Sequence, residues 1–353
     1  MASYFVDPAI AANSGAGTIG DPFGDLQYAL NTITQGSQGD QINIKAGTAE
    51  VLTATLSYAS YGTPHYLTPI TFRGYTSAEN DGGIGEISGA GSYSISTITN
   101  DGIRFRDLKL GNCGASARVL SLGRFGGVYN CEIHGCSGGG ITGNTDGSVV
   151  QKCHLHNLGG YGVTSSKVAD CVFVNGPTNS FGTAVNTLDC SHSIFILSGT
   201  SNGIELANSG HITNNSLYTS GTGKGMPPVR QIRACLISGN IFEGFSMGIE
   251  LGSDSESGFG LSYNAFYNCT TDVTSHPLQM LFDDNESLGS SPFAKSGTLD
   301  YANRLNWFAL NDVGNVRAGL FGRASKGAIP FSGGGGGGGP AGFPLSRTLN
   351  TGC

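Results

Sequence analysis

The sequence lacks three features that would place it in common protein classes. It has no uninterrupted apolar run of 18 residues, which is the minimum for a membrane-spanning helix. Charged residues are only 12% of the 353, and the formal net charge of −7 gives no basic excess for nucleic acid or anionic lipid. The nine cysteines include no CxxC pair of the kind that binds zinc. We therefore expect no membrane span, no nucleic-acid partner and no zinc site.

Glycine, in contrast, is abundant, with 58 residues in the chain. It is costly inside helices and favourable in tight turns, so this content argues against long exposed helices. The apolar share of 38% is still enough for a buried core. The composition favours many short strands joined by many turns.

A repeat of about 22 residues runs from residue 103 to residue 273, and it aligns apolar and small residues in columns. The first column reads Ile103, Val128, Val150, Val168, Cys190, Ile212, Ile237 and Leu261. The second, three residues later, reads Arg106, Cys131, Cys153, Cys171, Ser193, Asn215, Asn240 and Asn264. The third, two residues further on, reads Leu108, Ile133, Leu155, Phe173, Phe195, Leu217, Phe242 and Phe266.

This pattern predicts an all-β fold, a right-handed single-stranded parallel β-helix in which each coil buries its apolar face against the next. The second and third columns then face one interior. Asn215, Asn240 and Asn264 should form a hydrogen-bonded ladder, because a buried amide without partners is costly. Cysteines in the same column should be reduced and packed as small apolar residues.

Both ends of the chain differ from the repeat. Residues 26–33 place Leu26, Ala29, Leu30 and Ile33 on one helix face, which predicts a short N-terminal capping helix. Residues 333–339 are seven glycines, and we expect the Gly-rich tail to be an assembly contact through Gly333, Gly339, Pro340 and Phe343. The expected divisions are residues 1–40 (strand and helix), 41–275 (coils), 276–322 (closing segment) and 323–353 (tail).

Three segments carry a resemblance to a known group of proteins. Residues 4–8 read Tyr-Phe-Val-Asp-Pro, Pro22-Phe23 opens the helix, and Gly39-Asp40 leads into the strand at Ile42. In these segments the sequence resembles the pectin-lyase-like β-helix superfamily, whose members cap one end of the solenoid with such a helix. The resemblance implies a fold more than a reaction, because the superfamily includes lyases, hydrolases, isomerases, adhesins and viral tailspikes.

Residues 144–147 (Asn-Thr-Asp-Gly) match one motif of polygalacturonase-like hydrolases, and on that resemblance Asp146 would be a catalytic acid. A glycosidase needs a second carboxylate, and the family's paired aspartates do not follow. A plain Asn-Asp-Gly turn is the competing interpretation.

Two other groups of titratable residues are candidates. Glu132, His134, His154 and His156 should meet on the outside of adjacent coils, where they could hold a cation, with Ca²⁺ one possibility, or contact a glycan. Glu205 and Glu250 occur in equivalent Gly-Ile-Glu-Leu turns two coils apart, near the carboxylate separation of inverting glycosidases. Ordinary solvated side chains are the alternative in both cases, as they are for the arginines at 104, 106, 118 and 124.

Two functions follow as hypotheses. The first is a non-enzymatic structural or adhesive subunit of a virus particle, tail appendage or extracellular filament, which self-assembles through the tail and contacts surface polysaccharide. The alternative is a polysaccharide lyase or glycoside hydrolase that acts on an acidic glycan. No signal peptide is visible at the N-terminus, so a virion or a cell surface is the expected location.

Overall fold

The computed structural model describes residues 2–34, 39–58, 67–97, 101–144, 147–175, 181–229, 235–251, 259–274, 281–283, 285–293 and 295. Within these residues the strands pair in parallel from coil to coil. The predicted parallel β-helix is therefore confirmed. Among the same residues, no helix is long and apolar enough to span a membrane.

Each coil contributes one strand to each of up to three faces of the solenoid. Face 1 contains β1 (Ala2–Val6), β2 (Asp40–Lys45), β4 (Ile70–Tyr75), β6 (Ile103–Arg106), β9 (Gly127–Tyr129), β12 (Val149–Gln151), β15 (Lys167–Ala169), β17 (Thr183–Ser191), β19 (Asn202–Thr213), β22 (Cys235–Ser238), β25 (Phe259–Ser262) and β28 (Leu281–Asp283). Face 2 contains β3 (Ala49–Val51), β5 (Gly85–Ser88), β7 (Leu108–Gly111), β10 (Glu132–Cys136), β13 (His154–Leu158), β16 (Val172–Val174), β18 (Ile194–Leu197), β20 (Ser216–Thr219), β23 (Ile241–Glu243), β26 (Ala265–Tyr267) and β29 (Glu286–Ser287).

Face 3 contains β8 (Leu120–Ser121), β11 (Ile141–Thr142), β14 (Tyr161–Thr164), β21 (Lys224–Val229), β24 (Met247–Leu251) and β27 (Thr271–Val273). The long strands β17 and β19 run from face 3 into face 1, and the first part of β17 pairs with β14. Through β14 and β17, the short face 3 strands β8 and β11 join the sheet of face 1.

Face 1 passes into face 2 through a single left-handed residue, the αL corner. The corner residues have φ between 51° and 70° and are Asp107, Asn130, Lys152, Asp170, His192, Asn214, Gly239 and Tyr263. Asn, Asp and Gly tolerate this conformation best, which explains why they occupy most of the corners. The corner N–H groups of Asp107, Asn130 and Lys152 each donate to a carbonyl of the next coil, at 3.0–3.2 Å. The bend therefore leaves these backbone donors satisfied.

The core consists of equivalent side chains stacked along the solenoid axis. Phe173 and Phe195 occupy the same position in neighbouring coils, with ring centroids 4.7 Å apart and planes within 1°. Phe242 and Phe266 repeat this arrangement at 5.3 Å and 9°. In-register parallel pairing places each side chain on the equivalent side chain of the next coil. The repeat in the sequence therefore produces a continuous apolar column.

The inward column beside these rings holds the cysteines and asparagines. Cys131, Cys153 and Cys171 are buried, and all eight cysteines within the described residues are free thiols. Further along, Asn215 Nδ2 donates to Asn240 Oδ1 at 3.0 Å, and Asn240 Nδ2 donates to Asn264 Oδ1 at 3.0 Å. Asn264 and Asn285 continue the ladder by one more coil, at 2.9 Å.

One coil has a register different from the predicted one. The sequence columns placed Arg106 beside Cys131, but the structure pairs Arg106 with Tyr129 in the outward direction. Because Lys109 pairs with Glu132, Leu108 is the residue that takes the inward position of Cys131. Ile103 and Phe105 are both apolar and inward, so a shift of two residues left the pattern intact and hid the error.

The helix expected over residues 26–33 is present as α1 (Leu26–Thr32). Asp25 is its N-cap, and its Oδ1 accepts a hydrogen bond from the Tyr28 backbone N–H at 2.6 Å. Leu26, Ala29 and Leu30 are buried in the main core. The capping role of this helix stays a prediction.

The outer side of face 2 carries a second, smaller apolar cluster near the C-terminal end. Phe293 packs there with Ile194, Ile241 and Ala265. Lys295 forms an ion pair with Glu243 in the same region, and Ser291 Oγ donates to Glu243 at 2.8 Å. Residues 288–293 and 295 thus lie back over earlier coils. The tail predicted as an assembly contact, with Gly333, Gly339, Pro340 and Phe343, lies outside the described residues.

Candidate functional site

A pocket of about 290 Å³ lies at the edge where face 1 meets face 2. We call it the basic pocket, and it is lined by Arg73, Arg106, Asp107, Tyr129, Asn130, Gln151 and Lys152. Its volume is near the lower end of ligand pockets, which span roughly 300–1,000 Å³. It is therefore suited to a small ligand or to one unit of a polymer.

The walls of the basic pocket are held by a network around one carboxylate. Arg73 Nε forms an ion pair with Asp107 Oδ2 at 2.8 Å, and Asn130 Nδ2 donates to Asp107 Oδ1 at 2.8 Å. The Arg106 guanidinium lies over the Tyr129 ring, 4.5 Å from its centroid. Both oxygens of Asp107 are thus engaged, while Arg106 rests on an aromatic face.

Three cationic side chains and one carboxylate line this pocket, so its charge is predominantly positive. Arg106 lies on β6 and Lys152 at the corner that follows β12, and β9 lies between these two strands, so the two cations are two coils apart. Guanidinium and ammonium groups at such spacing favour an anionic ligand, and a carboxylate can pair with a guanidinium through two hydrogen bonds.

Sequence reasoning assigned Arg106 to a solvated face and did not single out Arg73, Tyr129 or Lys152. The pocket forms only when residues of successive coils align, such as Arg73 with Arg106 and Arg106 with Tyr129, and the register error at β6 concealed the position of Arg106. A usable signal exists in the chain, because the corner residues Asp107, Asn130 and Lys152 mark where each coil bends.

The four residues of the histidine cluster (Glu132, His134, His154 and His156) do come together on the outer side of face 2. Glu132 pairs in register with His154, and His134 with His156. His156 Nε2 lies 3.1 Å from Glu132 Oε1, and Lys109 Nζ lies 3.6 Å from Glu132 Oε2.

The imidazole rings of the histidine cluster form a stack. The centroids of His154 and His156 are 4.4 Å apart, and those of His134 and His156 are 5.5 Å apart. The hydrogen bond from His156 and the charge of Lys109 hold the pKa of Glu132 low, at about 2, against a burial effect that raises it. Burial lowers the pKa of His134, although the nearby Glu132 and Glu86 charges oppose this shift.

Within the part of the chain that the structure describes, no group of three or more His, Cys, Asp or Glu side chains is arranged to hold a metal ion. The binding of Ca²⁺ or of a glycan at the histidine cluster stays a prediction.

Glu205 and Glu250 lie on the outside of face 3, in strands instead of the predicted turns. β21 stands between their strands, so they are two coils apart, with Cα atoms about 10 Å from each other. Tyr161 Oη donates to Glu205 at 3.4 Å, and Lys224 forms an ion pair with Glu250. Asp146, the third carboxylate of interest, lies outside the described residues.

Comparison with solved structures identifies the fold. The structure of pectate lyase Pel9A matches this chain with a TM-score of 0.60, over 94% of this chain and 96% of that chain, at 13% sequence identity. The chain has the parallel β-helix fold of the pectin-lyase-like type. At this identity, the likeness defines the fold of the β-helix, and its ligand has to be argued from its own residues.

Weaker likenesses to this pectin-lyase-like β-helix have TM-scores below 0.5 and carry no argument. A GH136 lacto-N-biosidase from Eubacterium ramulus gives 0.45 at 12% identity, over 81% of this chain and 67% of that chain. The A-module of the mannuronan C-5 epimerase AlgE4 from Azotobacter vinelandii gives 0.36 at 11% identity, over 80% and 95%. No protein-family model and no curated protein matches the sequence of this β-helix.

Proposed function

We propose that this β-helix binds an acidic polysaccharide at the basic pocket and cleaves it by elimination. The observation that carries the proposal is the convergence of Arg73, Arg106 and Lys152 on one pocket of sugar size. The likeness to pectate lyase Pel9A, whose name refers to an acidic polysaccharide, points to the same ligand class.

The pocket provides what a uronate unit requires for binding. Its carboxylate would pair with Arg106, since Arg73 is already engaged by Asp107. Tyr129 offers an aromatic surface beneath the Arg106 guanidinium, which fixes the orientation of that cation. The ligand would therefore be selected by charge, with neutral glycans excluded.

The same residues favour elimination over hydrolysis. Hydrolysis of a glycosidic bond uses two carboxyl groups, and the one carboxylate that lines the pocket is bound by Arg73 and Asn130. In elimination, a base removes the proton beside the uronate carboxylate, the electron pair forms a C=C bond, and the glycosidic C–O bond breaks. The cations stabilise the charge that develops on the carboxylate, and the leaving oxygen takes up a proton.

Lys152 is the base we assign, because a lysine can lose its proton whereas arginine stays protonated. Its position at an αL corner places it at the rim of the pocket, on the coil after Tyr129 and Asn130. Arg106 then acts as the group that holds the carboxylate.

The structural or adhesive function expected from the sequence depends on observations that do not involve the basic pocket. Its support in the sequence was an incomplete catalytic motif set, the lack of a visible signal peptide and the tail of residues 323–353, which lies outside the described residues. Assembly into a virion or a filament stays a prediction, and nothing in the described part of the chain favours it over glycan binding.

The test is a panel of acidic polysaccharides, with ultraviolet detection of unsaturated products and isothermal titration of binding. We expect Arg106→Gln to weaken binding of an acidic oligosaccharide about tenfold or more. Arg104→Gln is the matched control, because it lies two residues away on β6 and does not line the pocket. Lys152→Gln should retain binding and lose product formation. Absence of both binding and products across the panel would refute the proposal.

A further inference from the structure

We infer that the histidine cluster is a second anion subsite for the same glycan, one that binds more tightly as the pH falls. This inference rests on the proposed function and extends it, since it assigns a ligand to residues outside the basic pocket. The ligand group is a uronate carboxylate, carried by the sugar units next to the one in the pocket.

The two sites adjoin along the chain. Glu132 follows Asn130 by two residues, and His154 follows Lys152 by two residues, on neighbouring coils. Two residues span at most about 7 Å, so the cluster begins within about 7 Å of the pocket rim along the backbone. A polymer that leaves the pocket around this edge therefore passes over the imidazoles.

The charges that face the cluster come from three neighbouring strands. β5 contributes Glu86, β7 contributes Lys109 and β10 contributes Glu132. On the other side, β16 presents Val172 and Val174, which carry no charge. Glu132 is shared between Lys109 and His156, so the described surroundings hold little negative charge to balance three protonated imidazoles.

Protonation and anion binding are coupled in this arrangement. The His156 ring stacks with that of His154 at 4.4 Å and with that of His134 at 5.5 Å, and adjacent imidazolium charges at these distances repel. A bound carboxylate offsets this repulsion, so the ligand raises the affinity of the rings for protons. By linkage, lower pH then raises the affinity for the ligand.

Near neutral pH, the direction of the change in affinity follows from which groups gain or keep their charge. Histidine gains its charge as the pH falls through about 6.5, and burial moves this step for His134 to lower pH. A uronate carboxylate and Glu132 keep their charges throughout this range, because both titrate at much lower pH. Affinity should therefore rise between pH 7.5 and pH 5.5.

The experiment measures binding of a defined oligogalacturonate to the full chain at pH 7.5, 6.5 and 5.5, at constant ionic strength. We expect affinity to rise about tenfold over this range, from several charge contacts of about 0.2–1 kcal/mol each. The triple variant His134→Gln, His154→Gln and His156→Gln should keep the affinity at pH 7.5 and lose the rise. The matched control His211→Gln, an exposed histidine bonded to Asp189 on face 1, should retain it. A methyl-esterified oligogalacturonate should not bind.

Titration of the histidine side-chain NMR signals in the wild-type protein gives a second readout that needs no variant. Signals from the three cluster histidines should move to higher pKa when oligogalacturonate is added. Binding without pH dependence, an equal rise in the triple variant, or unshifted histidine signals would overturn the subsite and leave the basic pocket intact. No binding at any pH, in contrast, would refute the proposed function together with the subsite.

Discussion

The inward column has two regions that occupy equivalent positions in their coils but carry different side-chain groups. In the earlier coils it holds thiols, and Cys153 Sγ donates weakly to the carbonyl of Gln151 at 3.3 Å. In the later coils it holds amides, and Asn240 connects Asn215 to Asn264 through bonds of 3.0 Å. The first region is stabilised by packing, whereas the second depends on a continuous chain of hydrogen bonds.

The two regions meet at Ser193. Its Oγ accepts from the Cys171 backbone N–H at 3.1 Å, and its own N–H donates to Asn215 Oδ1 at 3.0 Å. The hydroxyl is small enough for the cysteine region and polar enough for the asparagine region. The comparison teaches that one buried column can change its chemistry where one residue satisfies both neighbours.

The largest effect should come from Asn240→Ala, which breaks the amide ladder in its middle. Asn240 Oδ1 accepts from both the backbone N–H and the side-chain Nδ2 of Asn215, at 3.0 Å each. The substitution leaves two buried donors without partners, at about 1–3 kcal/mol each. We therefore expect the free energy of unfolding to fall by about 3–5 kcal/mol. Urea denaturation checks it, and a loss below about 1 kcal/mol would show that the ladder adds little.

A smaller loss should follow from Cys153→Ala, the matched change in the thiol region. Only a sulfur atom is removed, and the carbonyls that it contacts are also backbone acceptors within the coils. We expect a loss of about 1–2 kcal/mol from the lost apolar contact and the small cavity. The same denaturation experiment measures it. A loss as large as that of Asn240→Ala would erase the distinction between the two regions.

The smallest effect should be the dependence of stability on alkaline pH that Cys131 contributes and that no asparagine of the inward column can contribute. Burial raises the pKa of Cys131 to about 12 from an ordinary value near 9. The stabilisation from the neutral thiol is therefore complete below pH 9 and is lost as the pH rises towards 12. At pH 10, the loss is about 1 kcal/mol for this thiol.

Comparing the wild-type protein with Cys131→Ala at pH 7 and pH 10 isolates this contribution. The variant should lose about 1 kcal/mol less stability than the wild type over that interval. Ser193→Ala serves as the control, because it removes a polar side chain from the same column without removing a thiol. An equal loss in all three proteins would contradict the assignment to Cys131.

The fold was predictable because in-register stacking requires similar residues at equivalent positions of successive coils, and such residues recur at a regular interval in the sequence. The outward pairs Glu132 with His154 and His134 with His156 follow from the repeat alone, and the structure has both. The site was less predictable, because it depends on corners. Alternation predicts two faces of a strand, but it does not indicate where an αL residue such as Asp107 interrupts that alternation.

Other parts of the site were hidden for a different reason. The contact of Arg73 with Asp107 joins residues 34 positions apart, and no local pattern records such a pair. Glu243 on β23 contacts Ser291 and Lys295, about 50 residues later in the chain, and the repeat contains no signal of this contact. A return of the chain over earlier coils lies beyond what a repeat can predict.

The αL corners give this molecule an edge that differs from its faces. Each coil from Asp107 to Tyr263 places one residue at this edge that belongs to neither sheet, and all of them except Gly239 carry a side chain there. Substitutions at these positions would change the chemical groups along this edge, one per coil, and would leave the packing of the core unchanged. Because the coils are regularly spaced, successive residues along this edge can contact successive units of a bound polymer.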